Sequence, residues 1–176
     1  RLLKQGLTQS SIKADVYDNV TVLVLRFTDP VVLAEYFGGD NPTTAVNHLI
    51  CHFEERFDVH RIDYWKLIGD QIICASGMQD NSTPHVHAIA DLALNFQDKC
   101  SHLFADLDKR MEFKIGIDTG GIIGSPVGRQ QQSYNIWGEA VSTAAMMADN
   151  GVTGGIQVSE TTYRRLRQNY LFKVRG

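Results

Sequence analysis

Two apolar runs of strand length lie between Tyr64 and Ala75, and they flank Gly69-Asp70. Gly and Asp are poor strand formers and good turn residues. The stretch therefore reads as a β-hairpin that presents one carboxylate, Asp70, at its tip, with Lys66 close by. A rigid hairpin with a carboxylate at its turn is a sound way to place a metal ligand or an acid/base group. Asp is also favoured in turns for local hydrogen bonding alone, and the stretch itself does not choose between the two.

The rest of the chain arranges itself around this hairpin. Arg1 to Asp18 is polar with scattered Leu2, Leu3, Leu7 and Ile12, and reads as a linker or the end of an incoming helix. Val20 to Phe27 is nearly continuous in apolar and β-branched residues, the pattern of a central strand buried on both faces. Arg26 near its end needs a carboxylate or phosphate partner if buried, or else emerges into solvent. Pro30 opens a short helix with Val31, Leu33, Ala34 and Phe37 as its face, stopped by Gly38-Gly39. Pro42 starts a longer one, in which Val46, Leu49, Ile50, Phe53 and Phe57 recur at helical spacing. His48 and His52 are spaced i, i+4 on it, a spacing zinc uses. No third ligand is near in sequence, and the alternative is a solvated face.

After the hairpin, Gly77 to Pro84 is a polar loop and Ala88 to Phe104 an amphipathic helix facing inward with Ile89, Leu92, Ala93, Phe96, Cys100 and Phe104. Met111 to Ile117 reads as a strand, Thr119-Gly120-Gly121 as a turn, and Ile122 to Val127 as a further short strand. A polar loop, Gly128 to Ser133, leads to the apolar Tyr134–Trp137. Gly138 to Asp149 reads as a helix stopped by Asn150-Gly151. Ile156 to Val158 reads as a strand, Ser159 caps a helix containing Tyr163 and Leu166, and Leu171 to Val174 reads as a last strand. The order predicts an α+β fold with a ferredoxin-like (βαββαβ) core, extra strands and helices, and helices on one main face.

At 176 residues this reads as one domain, or one domain with a short appendage. Seventeen basic against twenty acidic residues give a net charge of −3, with no long basic run, so nucleic acid is not an expected partner. Cys51, Cys74 and Cys100 are far apart and inside apolar patterns, and read as buried thiols. No apolar run approaches membrane-span length, so no membrane contact is expected within this segment. The start at Arg1 without Met fits a piece cut from something longer, with a cytoplasmic location or a place as the cytosolic domain of a membrane-anchored protein.

Five strings carry a resemblance: Val20-Thr21-Val22-Leu23, Lys66-Leu67-Ile68-Gly69-Asp70, Ile115-Gly116-Ile117-Asp118-Thr119-Gly120 with Val127-Gly128-Arg129, Tyr134-Asn135-Ile136-Trp137-Gly138, and Ile156-Gln157-Val158-Ser159-Glu160. Each is weak alone. In this order and spacing the chain from about Asn19 to Gly176 resembles the class III nucleotidyl cyclase catalytic domain, the adenylyl and guanylyl cyclase family. The resemblance implies that fold, with residues 1–18 as linker and 19–176 as the cyclase homology domain, truncated before its last hairpin. It implies a nucleotide-cyclising lyase activity. Two carboxylates hold two Mg²⁺ or Mn²⁺ ions over a nucleoside triphosphate, the ribose 3′-oxygen attacks the α-phosphorus, and pyrophosphate leaves. It also implies a homodimer, or a heterodimer with another cyclase domain, with ATP or GTP bound at the interface.

Carried over residue by residue, the implied site is incomplete. Asp70 matches one metal carboxylate. The other belongs 44 positions earlier, at Arg26; Asp29 is the nearest substitute. Lys66 matches the adenine-reading Lys, and Asn135 stands in for its Asp partner. The catalytic Asn that orients the ribose corresponds to Ser142, and the transition-state Arg to Met146. Met146 cannot donate to a phosphate oxygen, and loss of such a donor costs about 10² to 10³ in rate. Arg26 is expected to pair with Asp70 and fill the metal position with a cation. The expectation is a cyclase homology domain of cyclic-nucleotide signalling, catalytically impaired alone. The alternative is an active adenylyl cyclase that completes its site with a partner chain or an altered metal site.

Overall fold

The computed structural model describes residues 13–29, 31, 32, 34, 42–80, 84–105 and 112–175. Pro30, Leu33, Phe37, Gly38, Gly39, Met111 and most of the linker lie outside these. The elements run β1 (Asp15–Phe27), α1 (Pro42–Phe57), β2 (Tyr64–Ile68), β3 (Gln71–Ser76), α2 (His85–Ala105), β4 (Phe113–Val127), β5 (Ser133–Trp137), α3 (Glu139–Asn150), β6 (Ile156–Val158) and α4 (Glu160–Leu166). The first six make the expected βαββαβ core. The strands order as β2-β3-β1-β4-β5, with β6 parallel to β4 and every other pair antiparallel. The hairpin is as expected, with Gly69 at φ +63 in its turn, a conformation cheap only for glycine.

β1 is central, and its alternation serves both faces. Leu23, Leu25 and Phe27 pack with Leu49, Phe53 and Phe57 of α1 and Ile89, Leu92 and Phe96 of α2. Val20, Val22 and Val24 pack instead with Ala140, Ala144 and Ala148 of α3. The helices therefore cover both faces, where one main face was expected. The alanines at i, i+4, i+8 let α3 lie against the sheet: a Cβ on Gly116 of β4 would overlap the Ala144 carbonyl and the Ala148 amide. On the other side α4 docks on α2 through Leu166, Val86 and Ala90.

Three further expectations are corrected. β1 begins at Asp15, so Asp15 to Asp18 belong to the sheet and not to a linker. Thr119-Gly120-Gly121 is no turn; β4 runs unbroken through it because β1 pairs alongside, Thr21 with Thr119 and Val20 with Gly120. Gly121 opposes the register shift between Tyr17 and Val20, and a glycine inside a strand commonly marks such a bulge. The bulge also changes parity: Tyr17, then Val20, face α3. Leu171 to Val174 is not a strand. No described strand pairs with it, and Phe172 packs edge-on against Tyr163. Among the thiols, Cys74 and Cys100 are buried and Cys51 is exposed; burial pushes the Cys100 thiol up to about 12. No helix among the described residues is long and apolar enough to cross a membrane.

A buried polar chain ties four elements together. Ser159 Oγ donates to Asp118 Oδ1 at 2.5 Å. Contacts of 3.2, 3.0, 3.1 and 2.8 Å then link Ser159, Thr162, Thr119, Thr21 and His85 Nδ1 in turn. At its far end Asn19 Oδ1 accepts from Arg165 Nη1 at 2.8 Å, so Asn19 Nδ2 donates to His85 Nε2 at 3.2 Å. In the neutral ring Nδ1 then carries the proton and donates to Thr21 Oγ1.

Candidate functional site

Lys66 and Asn135 sit on β2 and β5, the strands at opposite ends of the sheet order. Lys66 lies opposite Ile73, which lies opposite Val24, so it leaves the sheet on the α3 side. Ile136 of β5 joins the cluster of Val22, Val24, Ile73 and Ala75 there, with Tyr64 and Tyr134 at its margin. The two tyrosine rings are 6.4 Å apart. Lys66 Nζ donates to Asn135 Oδ1 at 2.5 Å and to Ser133 Oγ at 2.7 Å. Asn135 Nδ2 donates to the Ser133 carbonyl at 3.0 Å. Ser133, read only as a loop end from the sequence, is part of this site. The signal was its i, i+2 spacing from Asn135, which puts both on one face of a strand.

Arg26 does not pair with Asp70. It forms an ion pair with Asp149, in the last turn of α3, through Nε and Oδ1, with Nη2 3.4 Å from Oδ2. Arg26 has the parity of Val20, Val22 and Val24, so its side chain emerges beneath the C-terminal end of α3. That end is electronegative from its carbonyls as well as from Asp149, and Lys114 Nζ donates to the Asp149 carbonyl at 3.4 Å. Asp70 is exposed at the hairpin turn. Its carbonyl accepts from Phe27 N at 3.0 Å, while its carboxylate has no partner among the described residues.

Asp29 is committed elsewhere: its Oδ1 accepts from Val31 N at 2.8 Å. One free carboxylate, a second bound to main chain and a guanidinium do not make the donor set of a two-cation site. No group of three or more His, Cys, Asp or Glu among the described residues could hold a metal. His48 is exposed, and the His52 ring stands edge-on to Phe53, 6.1 Å between centroids. The residues present do not fit the divalent cations the resemblance implies, and no metal-assisted step follows for this chain. Ser142 and Met146 lie one turn apart on the exposed side of α3, with Met146 49% exposed. Neither has a charged group to offer a phosphate.

Residues 12–176 match the family described as Adenylate and Guanylate cyclase catalytic domain. An adenylate cyclase of Mycobacterium tuberculosis is 30% identical over 171 residues, covering 96% of this chain and 38% of that protein. The receptor-type guanylate cyclase gcy-5 of Caenorhabditis elegans is 30% identical over 177 residues, covering 96% of this chain and 15% of its own length. The chain thus spans well under half of these relatives. Among solved structures, the guanylate cyclase domain of RhGC from Catenaria anguillulae, in complex with GTP, superposes with a TM-score of 0.76 at 18% identity, over 89% of this chain and 86% of that one.

Proposed function

The chain belongs to the adenylate and guanylate cyclase catalytic domain family, and from that membership we propose that it acts in cyclic-nucleotide signalling as a nucleotide-binding domain whose own turnover is impaired. One observation carries the reading: at the position where the family resemblance places a metal carboxylate stands Arg26, a cation held by Asp149. Without a second carboxylate, charge on a triphosphate is not neutralised by the usual pair of ions. Met146 and Ser142 supply neither the cationic donor nor the amide that would position the reacting groups, and positioning accounts for much of such a rate. Lys66 and Asn135 remain assembled and offer a polar site for a base.

Pairing with a second cyclase domain, as a homodimer or heterodimer, belongs to the same proposal. Val16, Ile123 and Trp137 lie side by side across β1, β4 and β5 and are 70, 44 and 48% exposed. An exposed apolar row of this kind favours a protein partner. The assembled Lys66–Asn135 pair also supports a second reading. In it the chain lends the base-reading half of a site to a partner that carries both carboxylates and the transition-state Arg.

The test is a Mn²⁺-dependent cyclase assay on the purified chain with ATP and with GTP. The impaired reading expects little or no cyclic product. Robust turnover that Asp70→Ala abolishes would overturn it. Turnover appearing only when a carboxylate-bearing cyclase domain is added would favour the second reading.

A further inference from the structure

We propose that Arg165, Asn19 and His85 form an acid-opened latch between α4 and the bulge of β1, closed while the imidazole is neutral and open once its Nε2 is protonated. His85 is the first residue of α2 and is only 3% exposed. Gly77 packs close against its ring: a Cβ there would come within 2.9 Å of His85 Cγ and 3.1 Å of the Asn19 carbonyl oxygen. Asn19 lies in the register shift of β1, between Tyr17 and Val20. Its side chain is held from both ends. Oδ1 accepts from Arg165 Nη1 at 2.8 Å, and Nδ2 donates to His85 Nε2 at 3.2 Å.

An amide side chain has one acceptor atom, and a guanidinium only donates. Arg165 therefore claims Oδ1 and turns the Nδ2 hydrogens toward the ring. A proton on Nε2 then sets donor against donor. Turning the amide over gives Oδ1 to the imidazolium but points N–H₂ at the guanidinium. Either way one of the two contacts is lost, and two cations face each other across a neutral side chain. The other ring nitrogen is indifferent: Nδ1–H donates to Thr21 Oγ1 at 2.8 Å in both states. Burial and Arg165 of α4 hold the His85 pKa below the usual 6.5, and Asp63, ahead of β2, opposes them. The Asp63 carboxylate is already engaged by the amides of Gly77 and Met78, at 2.8 Å each. The positive end of α2 adds to the resistance. From β1 the ring meets Asn19 and Thr21, both neutral. Asp118 of β4 reaches it only through the hydroxyls of Ser159, Thr162, Thr119 and Thr21. The bulge that Asn19 occupies sets the parity by which Val16 joins the exposed apolar row, so opening the latch loosens one edge of that row.

The experiment follows the unmodified chain and Asn19→Asp by NMR between about pH 4.5 and 7.5, the range in which an imidazole titrates. In the unmodified chain the ring nitrogen shifts should place the neutral proton on Nδ1. Amide exchange at Asp18, Asn19 and Val20, corrected for its intrinsic pH dependence, should accelerate as pH falls below about 6.5, by up to about tenfold per pH unit, and level off below the folded pKa. Asn19→Asp is the discriminating variant. A carboxylate accepts from Arg165 and from Nε2–H together, so the latch should close on protonation, with the His85 pKa raised above about 6.5 and the exchange trend reversed. A proton on Nε2 in the unmodified neutral ring overturns the proposal. So does exchange at the bulge that ignores pH, or an Asn19→Asp chain that keeps the unmodified trend, which would mean that Asn19 only fills space there.

Discussion

Arg26 of β1 and Asp149 of α3 form an ion pair that ties the end of the central strand to the end of the helix covering it. Lys114, opposite Arg26 on β4, adds a second cation against the same helix end. A position that the family resemblance assigns to metal binding is here part of how a helix sits on its sheet.

Arg26→Asp should therefore do two things. It removes the cation from the metal position, so Mn²⁺ affinity should rise first. Cyclase activity should appear only when Met146→Arg and Ser142→Asn are added, because charge stabilisation and positioning act together. It should also cost stability, though modestly: the pair is 33 and 52% exposed, and such pairs contribute about 0 to 1 kcal/mol. Mn²⁺ titration of the single variant and an assay of the triple variant check this. An unmodified chain that binds Mn²⁺ as tightly as the single variant would sink the idea.

Gly116→Ala should be among the most damaging single methyl additions in the chain. The new Cβ meets helix backbone at Ala144 and Ala148, not a side chain that can swing away. α3 must lift from the sheet, at a cost of about 3 kcal/mol. Urea unfolding measures it; a loss under about 0.5 kcal/mol would show that α3 slides freely.

His85 should make stability rise with pH. Burial holds its pKa below the usual 6.5, Arg165 adds to this, and Asp63 opposes it. Between the folded value and 6.5 the unfolded chain binds more protons, so stability increases with pH across that window. The contribution is present above 6.5 and is lost as pH falls through the folded value. Protonating Nε2 would also remove the acceptor that Asn19 uses. Urea midpoints from about pH 5 to 8 should rise in the wild-type chain, and rise less in His85→Gln. Equal slopes in the two would remove His85 as the cause.

Lys66→Ala should weaken purine nucleotides more than pyrimidine ones, because it deletes a base contact and leaves phosphate contacts alone. Titration with GTP, ATP and CTP distinguishes the cases. Equal binding of CTP and the purine triphosphates by the unmodified chain would mean that Lys66 reads no base.

Local pattern carried most of the fold. The hairpin at Gly69-Asp70, the inward faces of α1 and α2, the Ser159 cap and the βαββαβ order each follow from turn chemistry and periodicity among near neighbours. Both ends of the Lys66–Asn135 contact were legible from the family strings. What the sequence could not supply was the pairing of distant elements. Thr119-Gly120-Gly121 looks like a turn until β1 lies beside it, because glycine's turn preference is weak against a continuous ladder. Leu171 to Val174 looks like a strand, but a strand exists only where a neighbour completes its hydrogen bonds. Arg26 announced a charge that, if buried, needs a partner, without saying which. Asp70 and Asp149 satisfy that need equally in sequence. The choice fell to side-chain parity along β1, reset by the bulge near Asn19, and to the place where α3 ends. Both are properties of three-dimensional packing: the bulge forms against Gly121 of β4, and Asp149 lies 123 positions from Arg26.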